Sequence, residues 1–139
     1  MRRLLVLLLP VVMTLGCSAG GGEAIPESYE LRHIEGNVAG PQGERSYRVD
    51  GDTVTIVVRD AQQQVVQERT RVLSGAEREA AAAEISRALR AGTGQVCTDS
   101  PEYRLTVDDP SQKSREVTIS ECFSDEVAPF RELEGILAG

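Results

Sequence analysis

The chain has no tryptophan, a single histidine at His33, and only five aromatic rings, two of phenylalanine and three of tyrosine. It therefore offers no obvious platform on which sugars or bases would stack. Its three cysteines show no C-x-x-C spacing, and with one histidine they are too few and too scattered for a four-ligand zinc site. Apolar runs are also short. Leu4 to Leu15 is interrupted by Pro10 and Thr14, well below the roughly 20 apolar residues that a membrane-spanning helix needs.

Catalysis requires a nucleophile with a base, a paired acid and base, or a metal, and the sequence shows no such set. His33 lies between Arg32 and Glu35 in a strand-like stretch and reads as a rim residue. Asp108-Asp109 precedes Pro110 and reads as a turn. Glu132 and Glu134 are expected on the solvent side of a terminal helix. The glycines from Gly36 to Gly43 do not lead from a strand into a helix, so they form no phosphate loop. The expectation is a protein without catalytic residues, metal or cofactor.

The first seventeen residues carry the strongest signal. Arg2 and Arg3 form a positive start, the apolar run follows, and Thr14-Leu15-Gly16 leads directly into Cys17. This matches the layout of a secretory signal, and the last four residues resemble the lipobox of bacterial lipoproteins. The resemblance implies cleavage before Cys17 and a lipid on its thiol. The alternative is an ordinary secretory signal, but no A-x-A-like cleavage site is present. Residues 1–16 are thus read as signal peptide and 17–26 as lipidated cysteine plus flexible tether, with Ser18-Ala19-Gly20-Gly21-Gly22 at its start. Ser18 behind the cysteine resembles the pattern of lipoproteins sorted to the outer membrane, where a cell has two. The expected location is the cell envelope, facing the extracytoplasmic side.

Removing the signal leaves 123 of the 139 residues, enough for one domain, assigned to 27–139. Without Arg2 and Arg3 the 15 basic residues become 13 against 22 acidic ones, a formal charge of −9. That surface disfavours nucleic acid. With Cys17 acylated, Cys97 and Cys122 remain as a pair in an oxidising compartment, where a disulfide is expected.

Alternation of apolar and polar residues marks strands at Tyr29–Glu35, Ser46–Asp50, Thr53–Arg59 and Gln64–Leu73, then at Tyr103–Val107 and around Val117 and Ile119. In the fourth of these, Val66, Thr70 and Val72 share a face. Asp50-Gly51 suits a type I′ turn. Ser74 and Glu77 form a capping box that opens an alanine-rich helix ending at Gly92. Pro129 begins a last helix with a stripe of Phe130, Leu133, Ile136 and Leu137. Together these elements predict an α+β domain: an antiparallel sheet of about five or six strands packed against two helices. Cys97 and Cys122 would flank one hairpin at the same end.

The order of these elements, with the loop Gly36-Asn37-Val38-Ala39-Gly40 after the first strand, resembles the emfourin family, small protein inhibitors of thermolysin-like metalloproteases such as protealysin. The resemblance spans about Leu31 to Leu137 and implies a partner-contact loop at Gly36, Asn37, Val38, Ala39 and Gly40. The cysteine pair and the lipobox-like segment depart from that family. Two functions follow as expectations. The first is a lipid-anchored, non-catalytic binding module of the envelope, with an unidentified envelope or secreted protein as partner. The alternative is a membrane-tethered inhibitor of a metalloprotease.

Overall fold

A computed structural model of the chain describes residues 24–36, 43–94, 97–111, 113–122 and 125–139. Cys17, the signal segment, and loop residues Asn37, Val38, Ala39 and Gly40 lie outside the described residues. Among the described residues six strands form one sheet: β1 (Ser28–Ile34), β2 (Glu44–Asp50), β3 (Thr53–Arg59), β4 (Val65–Val72), β5 (Glu102–Asp108) and β6 (Arg115–Ser120). Helix α1 (Gly75–Ala91) joins β4 to the segment before β5, and α2 (Ala128–Ala138) follows β6. The strand order is β4-β3-β2-β1-β5-β6, and every neighbouring pair is antiparallel. The domain is therefore the expected α+β sheet-and-helix arrangement.

Strand periodicity builds the core. Ile56, Tyr47, Leu31, Leu105 and Val117 lie opposite one another across five strands. A second row holds Val54, Val49, Tyr29 and Val107. All nine are buried, and they share one cluster with Ala81, Ile85 and Ala88 of α1 and Phe130, Leu133 and Leu137 of α2. Because alternate strand residues point to opposite faces, both helices cover this face, and among the described residues no helix covers the other. The alanines of α1 place little bulk between helix and sheet.

The local signals for chain reversal act largely as expected. Ser74 Oγ accepts from the amide of Glu77 at 3.2 Å, and the Glu77 carboxylate accepts from the amide of Ser74 at 2.7 Å. Gly92 ends α1 with φ of 76°. The β2–β3 turn differs in detail. Strand β2 includes Asp50, so the connection is Gly51-Asp52, and only Gly51 takes positive φ, at 63°. Glycine as the first of two central residues is the type II′ pattern rather than type I′.

Strand β4 also reports a difference of surroundings. Val72 and Thr70 lie opposite Thr53 and Thr55, the residues of β3 that point away from the helices. Val72 is 66% exposed, and Val66, at a register shift, is 61% exposed. The helix side of β4 carries arginines instead. Arg71 donates to the carbonyls of Ile136 and Leu137 and to Glu77, and Arg69 donates to the carbonyl of Ala138. These cations cap the negative end of α2 and fasten it to β4 and α1.

The register defines two ends of the sheet. Ser28, Asp50, Thr53, Val72 and Asp108 lie at one; Ile34, Glu44, Arg59 and Glu102 lie at the other. With six steps of about 3.3 Å, these ends are roughly 20 Å apart. The chain enters at the first end, where the amide of Gly51 donates to the carbonyl of Glu27 at 2.8 Å. There Ala24 and Pro26 line a cavity of 340 Å³ together with Leu89 and Val107. The β1–β2 loop leaves from the second end.

Candidate functional site

The second end collects three features that are far apart in sequence: the base of the β1–β2 loop, the cysteine pair, and a knot of polar side chains around Glu134.

At the loop base, the amide of Glu35 donates to the carbonyl of Gly43 at 3.0 Å, closing the connection between β1 and β2. Gly36 presses against the chain before β5. A β-carbon there would lie 2.3 Å from the Ser100 carbonyl carbon and 2.6 Å from the Pro101 nitrogen. Only glycine allows this approach, because backbone atoms cannot rotate out of the way. The Ser100–Pro101 segment is itself tied down. The Pro101 carbonyl accepts from the amide of Glu121 at 2.8 Å, and the amide of Cys97 donates to Ser120 Oγ at 2.9 Å. Cys97 and Cys122 form a disulfide with 6.6 Å between their α-carbons, within the normal range. The bond thus braces the segment that Gly36 meets. Gly36→Ala is expected to lower unfolding free energy by about 1–3 kcal/mol through this clash. Chemical denaturation measures it, and unchanged stability would show that the contact is dispensable.

The polar knot lies on the helix side of the sheet. His33 follows Tyr29 and Leu31 at alternate positions of β1, and it sits between Arg45 of β2 and Tyr103 of β5. These residues make a third row beyond the two apolar ones, and Glu134 descends onto it from α2. Its Oε1 accepts from Tyr47 Oη at 3.0 Å and from Arg45 at 3.0 Å, and its Oε2 accepts from Tyr103 Oη at 2.7 Å. His33 Nδ1 lies 3.2 Å from Oε2, and its ring stacks on Tyr103 with centroids 4.2 Å apart. His33 Nε2 is buried without a hydrogen-bond partner among the described residues, and Glu121 Oε1 is 3.6 Å away.

This corrects the expected placement of Glu134 on the solvent side of α2. Its side chain is 14% exposed. Glu134 lies four residues after Phe130 and three before Leu137, inside the buried stripe rather than opposite it. Its partner Glu132 is exposed, as expected. His33 is also more enclosed than a rim residue, at 18%. Two signals in the sequence point to both residues: period-two spacing from Tyr29 through Leu31 to His33, and the 130, 133, 134, 137 spacing in α2.

The electrostatics favour a clamp. Burial alone would push the Glu134 carboxyl up, but His33, Tyr103 and Tyr47 together outweigh it and hold the group down at about 2. A carboxylate so strongly held remains ionised and is a poor proton acceptor. Burial first, then the Glu134 charge and its hydrogen bond, push the Tyr47 hydroxyl up to about 12, and Tyr103 shifts the same way. Both phenols remain protonated donors at neutral pH. The arrangement joins α2 to β1, β2 and β5 near the end of the sheet where β1 stops.

Among the described residues, no group of three histidine, cysteine, aspartate or glutamate side chains is placed to hold a metal ion. Among the same residues, no helix is long and apolar enough to cross a membrane. Comparison of the chain with models of protein families, with curated proteins and with solved structures finds no match.

Proposed function

We propose that the chain is a lipid-anchored, non-catalytic binding module of the bacterial cell envelope, attached through Cys17 and presenting the β1–β2 loop end of its sheet to a protein partner. The observation that carries this reading is the polarity of the domain. The chain enters at one end of the sheet, and Gly36 begins the loop at the other. Only nine residues separate Cys17 from Glu27, so the domain would stay near the headgroups, with the end of the sheet that bears Gly36 farther from them. Acyl chains contribute about 0.8 kcal/mol per buried methylene, so two or three of them would make attachment effectively stable.

A second reading, a tethered inhibitor of a thermolysin-like metalloprotease, is favoured by the loop base. Gly36 and the Ser100–Pro101 floor give the loop a braced origin, and a braced segment loses less entropy on entering a cleft.

One set of experiments addresses both readings. The mature protein is expected to begin at a diacylated Cys17 by intact mass, and Cys17→Ser should release it from the membrane fraction or leave it unprocessed. Capture from native membranes with the lipid intact is expected to recover a partner that the Val38→Asp, Ala39→Asp double variant loses while keeping its melting temperature. If the wild-type domain inhibits a thermolysin-like protease at micromolar concentration and that variant does not, the second reading gains. A mature N-terminus other than lipidated Cys17 would remove the anchored module altogether.

A further inference from the structure

The two outer edges of the sheet are not equivalent. Beside β6, the chain covers its own edge: the amide of Gly94 donates to the carbonyl of Thr118 at 2.9 Å, and the amide of Cys97 reaches Ser120 Oγ. Strand β4 has no such cover among the described residues. Which of its backbone groups are free follows from one hydrogen bond. The amide of Leu73 donates to the carbonyl of Asp52 at 2.8 Å. The register that sets Val72 opposite Thr53 sets Leu73 opposite Asp52, so this pair is hydrogen-bonded. In an antiparallel ladder such pairs alternate. Arg71, Arg69 and Gln67 therefore turn their amides and carbonyls to β3, and Val72, Thr70 and Glu68 turn theirs outward. That is a run of three donors and three acceptors with the spacing of a strand.

The side chains along this edge define what would pair with it. Val72, Thr70 and Glu68 project from the open face, all exposed. Glu68 forms no ion pair among the described residues. On the helix side Arg69, also exposed, uses one nitrogen on the Ala138 carbonyl and presents a cation at the edge. Opposite residues in an antiparallel pair share a face and interact. A complementary strand thus has an apolar residue opposite Val72, an acidic one opposite Arg69 and a basic one opposite Glu68.

We infer that β4 is a docking edge for an extended segment of a partner protein, which adds antiparallel to the sheet as a seventh strand with its apolar, acidic and basic residues in that order. Main-chain hydrogen bonds supply attraction and the two charge oppositions set register. This surface is distinct from the β1–β2 loop. The inference rests on the binding-module reading for the existence of a partner, yet it is tested separately, in solution and without lipid.

The test uses residues 17–139 carrying Cys17→Ser, which retain every element of the fold, and an acetylated, amidated hexapeptide of sequence Ile-Thr-Thr-Glu-Lys-Thr. In the free protein, the amides of Glu68, Thr70 and Val72 are expected to exchange with solvent at least tenfold faster than those of Gln67, Arg69 and Arg71. Saturating peptide should slow the first three at least tenfold. A peptide of the same composition with Glu and Lys exchanged, placing like charges opposite each other, should bind at least fivefold more weakly. Thr70→Pro removes an outward amide that no strand uses, a substitution an edge tolerates, and it should weaken binding at least tenfold without unfolding the domain. If Thr70→Pro unfolds the domain, Thr70→Asp with an Arg in place of the peptide's second Thr tests the same pairing by its rescue. Equal exchange across the six amides, equal binding of the two peptides, or protection located elsewhere would overturn the inference. So would concentration-dependent dimerisation that protects the same three amides, because a second copy would then be the occupant.

Discussion

Replacing Cys97 by alanine is expected to lower the unfolding free energy by about 2–5 kcal/mol. The bond joins residues 25 positions apart, and in the chain-entropy model closing a loop of that size contributes about 3.5 kcal/mol. Its effect should not be confined to stability. Cys97 precedes the Ser100–Pro101 segment that meets Gly36, and Cys122 follows the residue whose amide holds the Pro101 carbonyl. Loss of the bond should loosen the floor of the loop, so Cys97→Ala and Gly36→Ala together should cost less than the sum of each alone. Urea unfolding of wild type, with and without reductant, gives the comparison. Reduced wild type should coincide with Cys97→Ala, and a variant that unfolds at the same urea concentration as the oxidised protein would refute the structural role.

The second large effect belongs to Glu134. The Glu134→Gln variant is expected to lose roughly 3 kcal/mol near neutral pH, since holding a carboxyl from its usual value near 4.5 down to about 2 corresponds to about 1.4 kcal/mol per unit. The sign follows from linkage. A carboxyl depressed in the folded state binds fewer protons there than in the unfolded chain, so it stabilises the fold above about 4.5 and loses that contribution as pH falls towards 2. The difference between wild type and Glu134→Gln should therefore be largest at neutral pH and shrink steadily below pH 4.5. Denaturation series at neutral pH and near pH 2.5 measure it. A gap of the same size at both would mean that the charge of Glu134 contributes nothing and the loss is one of packing. Because Tyr47 and Tyr103 donate to the same carboxylate, Tyr103→Phe should also reduce the pH dependence while leaving the apolar rows intact.

Strand and helix positions were legible because their signals are local. Tyr47 with Val49, Leu105 with Val107, and the Ser74–Glu77 box each lie within a few residues and depend on dihedral periodicity or on one turn of helix. Boundaries moved slightly, as where β2 begins at Glu44 rather than Ser46. The cysteine pair was legible from count and spacing, since a hairpin flanked by two cysteines brings them to one end. Glu134 was misplaced because a carboxylate normally faces water. Nothing within α2 reveals that two tyrosines, an arginine and a histidine from three strands wait beneath it. Val72 and Thr70 were correctly grouped on a face, but which face is covered depends on where the helices lie.

The sequence alone thus determined the order and type of the elements, because each follows from bonds or sterics between near neighbours, and the pairing of Cys97 with Cys122, because the two flank one hairpin. Tertiary structure alone decided that Gly36 abuts Pro101, that Glu134 is held by β1, β2 and β5, and that among the described residues no strand covers β4 while Gly94 and Cys97 cover β6. These are contacts between residues tens of positions apart. Their energies depend on strand order and on which face the helices cover, and no local propensity encodes either.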